Sequence, residues 1–130
     1  MPKFSAISKE RLATCDERIQ RVMNEVINHF DCVIIEGHRN EADQNRAYSQ
    51  GKSKLKFPNG KHNSLPSKAV DVMPYPLDWK DTKRICYFAG YVMATALSMG
   101  IKLRWGYDWD GDKDLNDQTF YDGPHYELVD

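Results

Sequence analysis

Apolar positions along the chain fall into two periods. Ile19, Val22, Met23, Val26, Ile27 and Phe30 recur at steps of three and four, which makes one stripe on a helix. Thr14-Cys15-Asp16-Glu17 just ahead has the form of a capping box, so a helix is predicted from there to about Phe30. Ser8 is the candidate cap of a shorter helix upstream. Cys32-Val33-Ile34-Ile35 is a short apolar run rich in β-branched residues and predicts a strand. Asn40 is placed to cap a helix that runs to about Gln50 and stops at Gly51. A polar, Lys-rich stretch punctuated by Pro58, Gly60 and Pro66 then predicts a long loop to Ser67. Ala69 to Met73 predicts a strand, ended by Pro74 and Pro76. A further helix from about Asp81 to Met99 buries Ile85, Phe88, Ala89, Val92, Met93, Ala96 and Leu97, with Gly100 as its stop. Ile101 to Trp105 and His125 to Val129 predict the last two strands, on either side of an acidic loop. Short strands without regular βαβ crossovers predict an α+β fold.

Composition narrows this picture. The chain has 130 residues, one domain's worth, so residues 1–130 are expected to form a single domain. Fifteen aromatic residues exclude disorder of the whole chain. No apolar run is long enough to span a membrane, and Met1-Pro2-Lys3-Phe4-Ser5 has no apolar signal core. A net charge of −1 argues against a basic face wrapped by nucleic acid. Charge is nevertheless clustered. Lys52, Lys54, Lys56, Lys61 and Lys68 occur with no acid among them, and the stretch from Asp108 to Asp122 holds six aspartates against one lysine. Both runs read first as solvated loops. Cys15, Cys32 and Cys86 are odd in number and widely spaced, so reduced thiols are expected rather than a disulfide framework or a zinc finger. Cys86 borders an apolar helix face and reads as a core thiol, not a nucleophile.

His62, Asp71 and His125 carry the candidate chemistry. Asp71 interrupts the apolar strand Ala69-Val70-Asp71-Val72-Met73, and an unpaired carboxylate there would be costly. In the last strand Tyr126 and Leu128 point one way, while His125 and Glu127 point the other. Two strands can thus present His125 and Asp71 from one sheet face, with His62 entering from the loop. Two imidazoles and one carboxylate suit zinc and leave a fourth tetrahedral position for water; the plainer reading is a set of hydrogen-bonded polar residues. Asp122, three residues before His125 across Gly123-Pro124, is placed to act as acid and base, or else belongs to a simple Asp-Gly turn. Arg39 ends the first strand, where a guanidinium suits a carboxylate or an oxyanion, or is a surface arginine. His29 lies off the apolar stripe near a helix C-terminus and reads as structural. Asp108, Asp110, Asp112 and Asp114 alternate as in a calcium loop, yet Gly111 is not at the sixth position from Asp108, so a solvated loop is expected over Ca2+ binding.

Four segments in order resemble one family. They are Glu36-Gly37-His38-Arg39; Gly60-Lys61-His62-Asn63-Ser64 with Ser67-Lys68-Ala69-Val70-Asp71; Leu103-Arg104-Trp105-Gly106-Tyr107-Asp108-Trp109; and Phe120-Tyr121-Asp122-Gly123-Pro124-His125-Tyr126-Glu127-Leu128. Together they resemble the zinc peptidases of the D-alanyl-D-alanine carboxypeptidase superfamily, and within it the phage L-alanyl-D-glutamate endopeptidases (endolysins). The resemblance implies a small antiparallel sheet carrying the metal, packed with about three helices, as in the carboxypeptidases and hedgehog-like domains. It implies one Zn2+ on His62, Asp71 and His125, Asp122 as catalytic acid/base, and Arg39 on the substrate or its oxyanion. It also implies a monomer that hydrolyses the L-Ala–D-Glu bond of bacterial peptidoglycan, accumulates in the host cytoplasm until lysis, and binds neither nucleic acid nor membrane stably. The step from His62 to Asp71 is longer than the superfamily's usual one by two, with Leu65 and Pro66 as the extra pair. Aspartate replaces the usual glutamate at position 122, which calls for a hydrophobic wall, such as Trp105 or Tyr126, to raise its pKa. The Lys-rich loop is placed to steer an anionic polymer. The alternatives are a D-Ala-D-Ala carboxypeptidase or dipeptidase with the same metal chemistry, and a non-catalytic wall-binding module that keeps zinc for stability.

Overall fold

A computed structural model describes residues 2–118 and 120–129. Its first helix, α1 (Ala6–Ala13), starts at Ser5 rather than Ser8, with the Ser5 hydroxyl accepting the Ser8 N–H at 3.1 Å. Ser8 is buried, and its own hydroxyl takes the Ile34 N–H at 3.1 Å, which ties α1 to the first strand. The Thr14–Glu17 capping box does not form. Asp16 caps α2 (Glu17–Val26) by accepting the Arg18 N–H at 2.9 Å, while Thr14 Oγ1 donates to the Arg11 carbonyl and accepts the His38 N–H at 2.8 Å. Helix α2 also stops at Val26, short of Phe30. The chain tightens there through Asn28 N–H to Glu25 O and His29 N–H to Val26 O, and this turns the Phe30 ring edge-on to Phe88 at 5.0 Å.

The remaining elements are β1 (Cys32–Glu36), α3 (Glu41–Ser49), β2 (Ala69–Pro74), α4 (Thr82–Ser98), β3 (Leu103–Trp105) and β4 (His125–Leu128). Asn40 caps α3 as expected, taking the Asp43 N–H at 2.9 Å. The fold is α+β, with four α-helices among the described residues. Among the described residues a four-stranded sheet runs β1-β2-β4-β3, and each neighbouring pair is antiparallel. Helix α4 packs on β2 and β3, α2 on α4, and α1 on β1. Ile34, Val70, Val72, Tyr126 and Leu128 on the sheet meet Ile19, Val22, Met23 and Val26 from α2 and Phe88, Val92 and Ala96 from α4, all buried. Each such side chain contributes roughly 1.5–3 kcal/mol on burial. The three cysteines are free, and burial pushes the Cys15 and Cys32 thiols up to about 12, as inert core thiols require.

Register puts polar groups on the opposite face. Directly paired residues share a face, and the pairs here are Glu36 with Asp71, Asp71 with His125, and Glu127 with both Ala69 and Arg104. A bulge at Ile35 between Ile34 and Glu36 brings Glu36 into that row. The loop after α3 holds a 3-10 turn, Lys61–Asn63. It is anchored by Arg39 N–H to His62 O at 2.8 Å, Lys68 N–H to Lys61 O at 2.9 Å, and Asn63 Nδ2 to Arg39 O at 3.0 Å.

Candidate metal centre and active site

The strand pairing brings Asp71 and His125 together, and the anchored turn lays His62 over them. His62 Nε2, His125 Nδ1 and Asp71 Oδ1 form a triangle with three edges of 3.2 Å. Metal–ligand bonds of about 2.0–2.1 Å at tetrahedral angles separate their donor atoms by roughly 3.3 Å. The outer nitrogen of each ring is already committed. His62 Nδ1 is 2.6 Å from the Gly37 carbonyl oxygen, and His125 Nε2 is 2.8 Å from Glu127 Oε1. Those oxygens only accept, so the outer nitrogens carry the protons, and the inner nitrogens of the neutral rings present lone pairs. Two lone pairs and a carboxylate oxygen therefore face one another in a buried place, which requires positive charge between them.

The electrostatics agree. Burial works against ionising Asp71, but both imidazoles outweigh it and hold the carboxyl well below its usual range. Burial likewise lowers the pKa of His125, yet hydrogen bonds to Asp71 and Glu127 push it up to about 10. With no other cation present the cluster thus takes a proton, and a metal binding there displaces it. Glu127 is itself buried and held below its usual range despite desolvation, with His125 and Arg104 as its partners.

Asp122 stands just off the triangle, its Oδ2 3.9 Å from His125 Nδ1. Burial first, then the Asp71 charge, raises its pKa to about 6. The residues expected to form its wall do other work. Tyr126 points into the helix-covered core, because it alternates with His125 along β4. Trp105 is also a core residue, and its indole N–H donates to the Gly123 carbonyl at 2.7 Å, pinning the turn between Asp122 and His125. Gly106 grips the same turn, since its N–H donates to His125 O at 2.8 Å and its carbonyl accepts from Asp122 N–H at 2.7 Å. A Cβ on Gly106 would lie 2.1 Å from the Asp122 carbonyl oxygen.

Arg39 is a largely covered guanidinium, its side chain 11% exposed, rather than a surface one. Its Nε donates to Glu36, NH1 to Gln44 Oε1 at 3.0 Å, and NH2 lies 3.5 Å from Asp71 Oδ2. It therefore orients the free oxygen of Asp71 while facing the groove. Gln44, on α3, had no sequence signal. It is buried, accepts from Arg39 and Asn63, and donates to Ser53 Oγ at 3.0 Å and Leu55 O at 2.6 Å, so it joins the arginine to the loop. Glu127 did carry a signal, its alternation with Tyr126 and Leu128, but its role as the partner of His125 needed coordinates.

The charged loops divide. Lys61 donates to the Leu128 carbonyl at 2.9 Å and Lys68 pairs with Asp16, so these two brace the fold rather than steer a ligand. Lys54 lies over the Phe120 ring and Lys56 over Tyr48. In the acidic loop, Asp108, Asp110 and Asp112 bring carboxylate oxygens within 4.8 Å of one another, whereas Asp114 lies outside that group. Their oxygens accept loop N–H groups: Asp110 from Asp112, Asp112 from Asp114, and Asp108 from Lys113. His29 is exposed and pairs with Glu25 at 3.2 Å, as a structural residue would.

Two connected recesses flank the site. The larger, about 980 Å³, is bordered by Arg39, Asp71, Trp79 and Asp122; the smaller, about 380 Å³, reaches His62, His125, Trp109 and Lys54. Arg39 and Asp122 line both, so a groove passes across the candidate metal centre.

The family model for phage L-alanyl-D-glutamate peptidase matches residues 1–129. The L-alanyl-D-glutamate peptidase of Escherichia phage T5 is 32% identical over 135 residues, covering 98% of each chain. Among solved structures, the L-Ala D-Glu endopeptidase ChiX of Serratia marcescens superposes with a TM-score of 0.74 at 26% identity, over 98% of this chain and 90% of that one.

Proposed function

Because the chain belongs to the phage L-alanyl-D-glutamate peptidase family, we propose that it is a zinc-dependent endolysin that hydrolyses the L-Ala–D-Glu bond of peptidoglycan stem peptides, with residues 1–130 acting as one catalytic domain. The observation that carries this reading is the triangle of His62 Nε2, His125 Nδ1 and Asp71 Oδ1, with both outer imidazole nitrogens already bound. Two nitrogens and one oxygen suit zinc, and three protein ligands are the number catalytic zinc sites use.

Zinc held there would supply a Lewis acid and a water acidified toward neutral pH. Asp122 takes the proton of the attacking water and returns it to the leaving D-Glu nitrogen. Burial of Asp122 raises its carboxyl above the ordinary aspartate range, which favours accepting that proton. Arg39, held rigid by Glu36 and Gln44, offers its groove-facing edge to the developing oxyanion or to a substrate carboxylate. Lys52 and Lys54 at the groove rim attract the acidic stem peptide. No helix among the described residues is long and apolar enough to cross a membrane. The reading adds a monomer that stays in the host cytoplasm until lysis opens its way to the wall.

The test is digestion of purified peptidoglycan followed by mass spectrometry. Fragments with a new N-terminal D-Glu are expected, absent after chelation and restored by Zn2+. Asp122→Asn should lower kcat by at least about 10²-fold with zinc still bound. Release of D-Ala alone would show the carboxypeptidase instead, and full activity in Asp122→Asn would remove the assigned acid/base.

A further inference from the structure

The larger recess has an aromatic wall that catalysis does not use. Trp79 lines it together with Asp71 and Asp122, yet the residue is 53% exposed and its ring stacks on no other among the described residues. It belongs to the segment that leaves β2, the strand carrying Asp71. Tyr75 and Leu77 on the same segment are 54% and 45% exposed. Of these three, Trp79 alone borders the recess, and an exposed indole on the wall of a groove offers a flat apolar face to a ligand. The segment is also held in place. Arg84 donates to the Tyr75 carbonyl at 2.6 Å and the Pro76 carbonyl at 3.2 Å, and Asp78 accepts the Lys80 N–H at 3.0 Å. An aromatic face on a braced support meets a ligand at low entropic cost.

We propose that Trp79 forms a saccharide subsite, in which its indole seats a sugar ring of the glycan that bears the stem peptide. The inference rests on the peptidoglycan reading above and names which part of that polymer the enzyme holds. A sugar ring presents a C–H face edged by hydroxyls. The flat indole fits the face, while Arg11, Arg46 and Gln50 elsewhere in the same recess offer donors and acceptors to the hydroxyls. Chain length supports the placement. L-Ala is the first stem residue, joined to the sugar through its lactyl group. At roughly 3.3–3.6 Å per residue, the sugar lies only about two residue lengths from the bond to be cut. A glycan-linked substrate in the groove therefore has its sugar near the rim of the site. Binding energy from that sugar, remote from the reacting bond, would raise the efficiency of cleavage.

Two measurements test this. The first is the ratio of kcat/KM for a glycan-linked stem peptide to that for the same peptide freed from sugar. The wild-type ratio should be roughly tenfold in favour of the glycan, Trp79→Ala should bring it close to one, and Trp79→Phe should keep most of it. The second is calorimetric binding of peptide-free glycan strands to the Asp122→Asn chain, with and without Trp79→Ala; the added substitution should weaken binding by roughly tenfold. A wild-type ratio near one, a ratio that Trp79→Ala leaves intact, or glycan binding indifferent to that substitution would overturn the subsite. If the wild-type chain cuts neither substrate, the cleavage reading fails, and the glycan-binding result decides the subsite on its own.

Discussion

His125 reaches inward with Nδ1 and outward with Nε2, and the outward bond to Glu127 at 2.8 Å decides what the inward atom can do. A carboxylate on the outer nitrogen fixes the tautomer, orients the ring and makes the inner nitrogen a stronger donor to a metal. Glu127→Ala is accordingly expected to lower zinc affinity by roughly 10–100-fold, measured by competition with a chelating dye. Glu127→Gln keeps an acceptor for the ring N–H and should recover part of the loss; equal affinity in all three proteins would deny Glu127 this role. The three candidate ligands were legible in the sequence because each is chemically conspicuous, like Asp71 within an apolar strand. Their supports were not. Gly37 contributes only a carbonyl, and Gln44 is one polar residue among several on α3.

At the level of elements, β2 and β4 place two of the three candidate ligands by register alone, since Asp71 pairs directly with His125. A slip of one residue would send His125 to the core face and Tyr126 to the site. The turn before β4 then sets where Asp122 stands. Gly106 packs against that turn too closely for any side chain, so Gly106→Ala should displace Asp122 and lower kcat by about 10²-fold while the far-UV circular dichroism stays that of a folded chain. A Gly106→Ala enzyme with wild-type kcat would show that the close approach is immaterial. Periodicity announced these strands and helices well, but their ends less so. Whether α2 starts from Asp16 or Thr14 depends on where the Thr14 hydroxyl finds partners, and those are Arg11 and His38, the latter 24 positions away.

Across the whole molecule, the candidate ligands come from a turn in a long loop, a central strand and the last strand, so a metal held by them would join parts distant in sequence. A ligand that binds only the folded chain stabilises it by about 2.7 kcal/mol at a hundredfold excess over Kd. For a domain of this size that corresponds to a rise in Tm of roughly 10 °C on adding Zn2+, read by thermal unfolding. His62→Ala should abolish most of the rise, whereas an equal rise in that variant would place the metal elsewhere.

Periodicity and residue chemistry are local properties of a chain, so the sequence carried the α+β class, the apolar faces of α2 and the strands, most of that of α4, and the three residues suited to a metal; Leu97, expected on the buried side of α4, is instead 78% exposed. Packing between distant segments decided that Lys61 and Lys68 brace the fold, that Arg39 is clamped by Glu36 and Gln44, and that Glu127 and Gly37 set the imidazole tautomers. Each of those outcomes is a choice among partners far apart in sequence, and only packing brings the partners close enough for one to be chosen.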